Sequence, residues 1–394
     1  MSSSLRATFR GVENFSDAEY KRRHDNIRRA MSEQGLDAHL VTAPQHLAYV
    51  AGDPHGFMTA GVHLGLSTLV MLPDRSSFLV RKFEEQSAAA DSPIDEIIGY
   101  STDVEDPQDP VDVLAAHLID QGLEGKRIGI EGDLWGLTPA DLEGLRKHLP
   151  NAEFVEASKI VLDSVTIKSA EELDLMRQVA KISVGGVQAF IDNVNVGATE
   201  ADIATAVWDA LIHGGSEFPY YMPYVLSGER TWLSHGAWAL REIETGDPVF
   251  TEQSGSLLHY HSPLARTVLV GDNPEAEELY EQGRAAQDAA IAKMRVGATN
   301  GDVDDACRLA LKEAGRDGWL KHRVGYSVGI DWVGRKAVSL MPEGDIPLRP
   351  GMVFHVVCLL SYPGRFGVFV SDTVAVTDGE PEILSGFSRD LVKK

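Results

Sequence analysis

Val196-Gly197-Ala198-Thr199-Glu200-Ala201-Asp202-Ile203 recurs one hundred positions further on as Val296-Gly297-Ala298-Thr299-Asn300-Gly301-Asp302-Val303. In each copy the threonine is placed to cap a helix, because its side-chain oxygen can accept an N–H of the first turn, and the aspartate three residues later meets the positive end of the helix dipole. A long helical pattern ends at the glycine of each copy. Each second helix then leads through glycine, Gly214 and Gly215 in one case and Gly315 in the other, into an aromatic-rich strand region. A helix–helix–sheet unit is therefore repeated. The repeat predicts a domain of pseudo-twofold symmetry whose cleft is the natural place for a binding site.

Upstream of the repeat the pattern changes. Ser16 and Asp17 open a helical stretch to about Gln34, Gly35 stops it, and Asp37–Val41 begins a strand. Apolar runs at Leu66–Leu72, Phe78–Val80 and Arg127–Ile130 read as strands, with helical stretches around Pro110–Gln121 and Pro139–His148. This alternation predicts an α/β domain. Ser169, followed by Ala170, Glu171 and Glu172, caps the long helix that begins the repeated part. The boundary is placed near Asp163, giving domains 1–163 and 164–394, the second of the α+β kind.

A chain of 394 residues suits two domains, each with its own core. Hydrophobic residues at 43% and charged residues at 24% are ordinary for a globular protein. The formal net charge of -23 disfavours phosphate backbones and anionic lipid surfaces, so neither nucleic acid nor membrane is expected as a partner. Cys307 and Cys358 are too few for a disulfide framework or a thiolate cage and read as buried thiols. The first twenty residues carry no apolar stretch suited to a signal peptide, and no later run reaches membrane-spanning length, so a cytoplasmic location is expected.

The paired turns, together with Gly246-Asp247-Pro248-Val249-Phe250, Leu264-Ala265-Arg266-Thr267 and Arg349-Pro350-Gly351-Met352-Val353-Phe354, resemble the C-terminal domain of the creatinase, prolidase and methionine aminopeptidase group. The likeness spans about Ser169 to Asp378, and the first domain resembles the smaller α/β domain that precedes it in creatinase and prolidase. The resemblance implies a pita-bread fold and a homodimer whose N-terminal domain reaches the partner's site. In the peptidases of this group two aspartates, a histidine and two glutamates hold two metal ions. Here the matching positions are Glu252, Pro263, Tyr326, Val357 and Ser371. Proline and valine offer no side-chain ligand, and tyrosine and serine are poor ones, so the resemblance points to the metal-free members and to no cofactor. Phe250-Thr251-Glu252, Tyr260-His261-Ser262-Pro263 and Gly325-Tyr326-Ser327-Val328-Gly329 are most similar to the ectoine hydrolases, and next to the creatinases.

Several side chains then become candidates. Glu252 lies in an apolar strand where a lone carboxylate is costly, so it wants a cation, either from a ligand or from an internal arginine such as Arg266. His235 matches a histidine that serves as general acid and base in the metal-free relatives, a task its near-neutral pKa suits. Along an expected strand from Leu257 to Val270, period two puts His261 on the same face as Pro263, hence toward the cleft, with a satisfied core histidine as the alternative. The same parity puts His355 beside Val357, and Tyr326 offers a hydroxyl. Phe218 and Tyr221, in a cluster with Tyr220 and Tyr224, are candidates for a pocket wall or for packing. Arg335 resembles an arginine that holds a substrate carboxylate in creatinase. His46, His55, Phe57 and His63 lie in an N-terminal loop region that, by the resemblance, approaches the neighbouring subunit's site; His55 and Phe57 are the site candidates there.

The activity implied is hydrolysis of a non-peptide C–N bond in a small cationic or zwitterionic compound. Ectoine ring opening is the specific form, guanidine hydrolysis the first alternative, and an inactive binding protein of the same fold the second.

Overall fold

The structure is a computed structural model that describes residues 14–52, 65–219, 221–233, 235–330, 332 and 336–394. His55, Phe57, His63, Tyr220 and Arg335 lie outside the described residues. The chain divides into two compact units between Val165 and Thr166.

The first unit is built on a mixed sheet of β1 (Ala38–Val41), β2 (Thr68–Met71), β3 (Ser76–Arg81), β4 (Glu96–Tyr100), β5 (Arg127–Ile130) and β6 (Glu153–Glu156), in the order β4-β3-β2-β1-β5-β6. Pairing is antiparallel through β1–β2 and β2–β3 and parallel through β3–β4, β1–β5 and β5–β6. Helices Asp17–Glu33, Pro110–Asp120 and Pro139–His148 stand where the sequence pattern puts them. Ser16 caps the first by accepting the Glu19 N–H at 3.1 Å. Leu40, Val70, Leu79 and Ile128 from the sheet pack with Leu114, Leu118 and Leu145 from two of the helices into one core. An eight-residue helix, Pro44–Ala51, forms where the sequence reading has a loop. His46 is buried on that helix, and its Nδ1 hydrogen-bonds the buried Glu131 carboxylate, so it is a fixed interior residue of this unit rather than a loop side chain.

The second unit shows the repeat in three dimensions. Helices Ala170–Asn193 and Glu200–His213 form one pair, and Pro274–Lys293 and Asn300–Glu313 the other. Thr199 accepts the Asp202 N–H at 3.1 Å and Thr299 accepts the Asp302 N–H at 3.1 Å. The first helix of each pair stops at Asn193 or Lys293, short of the repeated glycine. Gly197 and Gly297 then take φ of 84° and 93°, the left-handed region that a side chain disfavours.

The described strands of this unit are β7 (Tyr224–Ser227), β8 (Pro248–Gln253), β9 (Ser256–Leu257), β10 (Tyr260–His261), β11 (Leu264–Leu269), β12 (Gly325–Ser327), β13 (Ser339–Leu340), β14 (Val353–Tyr362), β15 (Phe366–Ala375), β16 (Glu382–Ile383) and β17 (Val392–Lys393). The main sheet runs β13-β12-β14-β15-β11-β8-β7 with antiparallel neighbours along that path. Phe190, Val207 and Leu211 of the first helix pair pack on Val225, Val249 and Val268. Tyr280, Val303 and Cys307 of the second pack on Phe354, Val356 and Val370. Both cysteines are free and buried.

The expected continuous strand from Leu257 to Val270 is not formed. Leu258 and His259 adopt φ of 46° and 65°, making the tight turn of a small β9–β10 hairpin, and Pro263, which has no N–H to give a ladder, separates that hairpin from β11.

Candidate active-site cleft

The register of the main sheet assembles the site from distant segments. Glu252 on β8 pairs with Ala265 on β11, Ala265 with Ser371 on β15, and Ser371 with Val357 on β14. Tyr224 extends this row beyond Glu252, and at the other end Tyr326 on β12 pairs with His355, two residues before Val357. Directly paired residues project to the same face, so one transverse row carries the groups that the sequence scatters over some 150 positions. Above it lies a cavity of about 360 Å³ lined by His235, Glu252, Tyr326 and Val357 among others.

Glu252 is the unusual group. It is 7% exposed, and burial alone pushes its carboxyl up to about 8. The internal cation that could have paired with it is engaged elsewhere: Arg266 donates to Asp372 Oδ1 at 2.9 Å and to the Ser371 carbonyl at 2.7 Å. Among the described residues the ionisable group within 4 Å of Glu252 is His355, with Nδ1 at 3.9 Å from Oε1. Left alone, the carboxyl is therefore largely neutral near pH 7. A cation entering the cavity restores its charge.

His355 is fully buried, and its imidazole is held at both nitrogens, Nε2 by the Ser371 hydroxyl at 2.7 Å and Nδ1 by the Tyr326 hydroxyl at 3.0 Å. Burial, reinforced by the Lys336 ammonium, lowers its pKa to about 3, so the ring is neutral and can only relay or orient hydrogen bonds. Tyr326 also receives a hydrogen bond from Trp332, and its phenol is pushed well above the ordinary tyrosine range, first by burial and then by Glu252. It thus stays protonated and capable of donating at the cavity wall.

His235 lines the cavity from the segment after β7, its ring 5.8 Å from Tyr224. His261 does not line it. The hairpin places its ring 5.8 Å behind the Trp332 ring, its backbone N–H bonds the Gly329 carbonyl at 2.8 Å, and burial lowers its pKa to about 3. The parity expected of it fails because the strand it assumed is broken at Pro263. Tyr221 packs edge-on to Trp332 at 5.6 Å and supports the wall from outside. Phe218 is 58% exposed and rests on Trp208, away from the cavity lining, so it is not a pocket wall here. The first of its neighbours to form part of the site is Tyr224, through its contact with His235.

Six lining residues escaped the sequence reading: His322, Arg323, Trp332, Lys336, Leu359 and Phe369. Trp332, 3% exposed, contacts Tyr221, His261 and His355 and joins them into one aromatic support. Arg323 and Lys336 line the same cavity and lie 4.6 Å and 5.1 Å from the Tyr326 ring centre. Arg323 precedes Tyr326 by three residues and could have been noticed; nothing local marks Trp332.

The positions that match metal ligands in the peptidases do not fit a dinuclear centre. Only Glu252 is a carboxylate, Val357 is apolar, Ser371 is committed to His355, and Pro263 presents a carbonyl that accepts the Thr373 hydroxyl at 2.9 Å. Two divalent ions need several anionic or imidazole donors at once, and this set holds one carboxylate. Among the described residues no three of histidine, cysteine, aspartate or glutamate converge to hold an ion.

A small α/β unit followed by a duplicated helix-pair-and-sheet unit with a polar cleft on the sheet defines the pita-bread hydrolases. The chain belongs to metallopeptidase family M24, whose profile matches residues 174–378, and the creatinase/prolidase N-terminal domain matches residues 23–164. It is 30% identical over 275 residues to a Xaa-Pro dipeptidase of Pyrococcus horikoshii, covering 69% of this chain and 77% of that protein. It is 26% identical over 403 residues to the ectoine hydrolase of Halomonas elongata, covering 96% of this chain and 98% of that one. The fold matches a Thermococcus sibiricus prolidase with a TM-score of 0.85 at 23% identity, covering 97% of this chain and all of the other (100%). No described helix is long and apolar enough to cross a membrane.

Proposed function

We propose that this protein is a metal-independent hydrolase that cleaves a C–N bond of a small cyclic amidine, with ectoine ring opening to an N-acetylated diaminobutyrate as the specific reaction. The observation that carries the reading is Glu252: a buried carboxyl in a ligand-sized cavity, raised to about 8 by burial, with no cationic side chain of the described protein paired to it. An amidinium supplies that cation. Its carbon is already electrophilic, so no Lewis acid is needed to polarise it.

The step consumes one water. Attack on the amidinium carbon, by the Glu252 carboxylate or by water activated at His235, gives a tetrahedral centre. One ring C–N bond then breaks as His235 delivers a proton to the leaving nitrogen, and the other nitrogen keeps the acyl group as an amide. In the covalent route the carbon stays bonded to the remaining nitrogen as a glutamyl imidate, and water cleaves its link to Glu252, leaving the amide and the free carboxylate. Tyr326, held by His355 and Trp332, is placed to donate to the developing charge.

The dipeptidase relatives favour a second reading, a peptidase of the same family. The donor set at the five ligand positions argues against it. A chelator-treated sample assayed on ectoine, creatine and an Xaa-Pro dipeptide, with mass-spectrometric product detection and metal analysis, separates the two. Ring-opened product from chelated protein supports the proposal; dipeptide cleavage restored by metal, with no amidine turnover, overturns it.

A further inference from the structure

Ser371 stands in the middle of the transverse row, wholly buried on β15, and among the described residues its hydroxyl has one hydrogen-bonding partner, His355 Nε2 at 2.7 Å. The Ser371 carbonyl is separately taken by Arg266. His355 links Ser371 to Tyr326 through Nδ1 at 3.0 Å, and the Tyr326 oxygen also receives the N–H of Trp332. Four side chains thus form one hydrogen-bonded line that ends at the wall of the cavity holding Glu252. Because the His355 ring is neutral, it carries its proton on only one of its two nitrogens.

Which nitrogen bears it decides what Tyr326 can do. With the proton on Nε2, the ring donates to Ser371, the Tyr326 hydroxyl spends its own proton on Nδ1, and the buried Ser371 proton is left without an acceptor, which is costly. With the proton on Nδ1, Ser371 donates to Nε2 and the ring donates to the Tyr326 oxygen. That oxygen then accepts from both Trp332 and His355, so its proton turns to the cavity and every donor of the line is used. Nδ1 also lies 3.9 Å from Glu252 Oε1, where a positive N–H end favours the carboxylate that a cationic ligand induces.

We propose that Ser371 is a positioning residue: by donating to His355 Nε2 it holds the imidazole as the Nδ1–H tautomer and frees the Tyr326 hydroxyl to donate to the reacting group in the cavity. Ser371 does not line the cavity and acts through His355. Its consequence for turnover rests on the reading of Tyr326 as a donor in the ring opening, whereas the tautomer itself does not.

Nitrogen NMR of the full chain with isotope-labelled histidine separates the tautomers, because a bare ring nitrogen resonates far from one that bears a proton. His355 is recognised by its through-space contact with the Tyr326 ring, whose centre lies 5.4 Å from its own. The wild-type protein is expected to show a protonated Nδ1 and a bare Nε2; a protonated Nε2 overturns the proposal without any variant. Ser371→Ala removes the donor that distinguishes the two forms and should bring them to comparable populations, so that kcat on ectoine falls about twofold with KM little changed. In a Tyr326→Phe background the same substitution should cost nothing further, because the hydroxyl it governs is gone. A Ser371→Ala loss of equal size in both backgrounds would make Ser371 a packing residue and overturn its role. If Tyr326→Phe alone leaves kcat unchanged, the reading of Tyr326 as a donor fails, while a bare Nε2 in the wild type and its protonation in Ser371→Ala still uphold Ser371 as the group that sets the tautomer.

Discussion

His355 Nδ1 stands 3.9 Å from Glu252 Oε1 while the same ring is bonded to Ser371 and Tyr326, so the one acid of the transverse row is bordered by a neutral imidazole network. A neutral neighbour does not stabilise a carboxylate by charge. This relationship governs how the site should respond to pH and to substitution.

The Glu252 carboxyl is raised from its usual value near 4.5 to about 8. Between those values the native state keeps a proton that the unfolded chain has lost, so ligand-free stability should fall as pH rises from about 4.5 to 8, by on the order of 5 kcal/mol in total. Glu252→Gln should remove that component of the slope. Denaturant midpoints measured at half-unit pH steps check it; an unchanged slope in the variant would show that burial does not hold the proton on Glu252.

Binding of an amidinium to the carboxylate form should show the complementary trend. Affinity is expected to rise about tenfold per pH unit below 8 and level off above it, with a proton released on binding at neutral pH. Calorimetry in buffers of different ionisation enthalpy counts that proton. No release at pH 7 would contradict an unliganded neutral Glu252.

Tyr326→Phe removes the hydroxyl that bonds His355 and Trp332 at the cavity wall. Turnover should fall about tenfold or more with little change in substrate KM, because a donor to developing charge acts in the transition state. A variant with wild-type kcat would reduce Tyr326 to packing.

Arg266 and Asp372 form a buried pair at 2.9 Å, with side chains 3% and 0% exposed. Asp372→Ala should destabilise the fold by about 3–5 kcal/mol, since it leaves an uncompensated guanidinium inside. Urea unfolding measures the loss; a change below about 1 kcal/mol would mean that the ladder carbonyls alone satisfy Arg266.

Thr199→Ala and Thr299→Ala should each cost about 1 kcal/mol, because each threonine caps the second helix of its pair through the same bond. Thermal unfolding of both variants tests the structural equivalence of the repeats. Markedly unequal losses would show that the two caps are not equivalent.

Much of this protein was determined by local chemistry that the chain displays without folding. The repeated threonine and aspartate made two capped helices, Ser16 and Ser169 started theirs, and the five substitutions at 252, 263, 326, 357 and 371 settled which donors are present. Those features depend on residue type and on neighbours a turn away, which a sequence records directly. His261 shows the limit: its direction followed from an assumed strand, and two left-handed residues and a proline turned that strand into a hairpin. Tertiary structure alone decided that Trp332 backs the cleft, that Arg266 belongs to Asp372 and not to Glu252, and that Arg323 and Lys336 share a cavity with a neutralised carboxyl. Burial and Coulomb interaction act through space, and the register that brings β8, β11, β15, β14 and β12 side by side exists only once the sheet has closed.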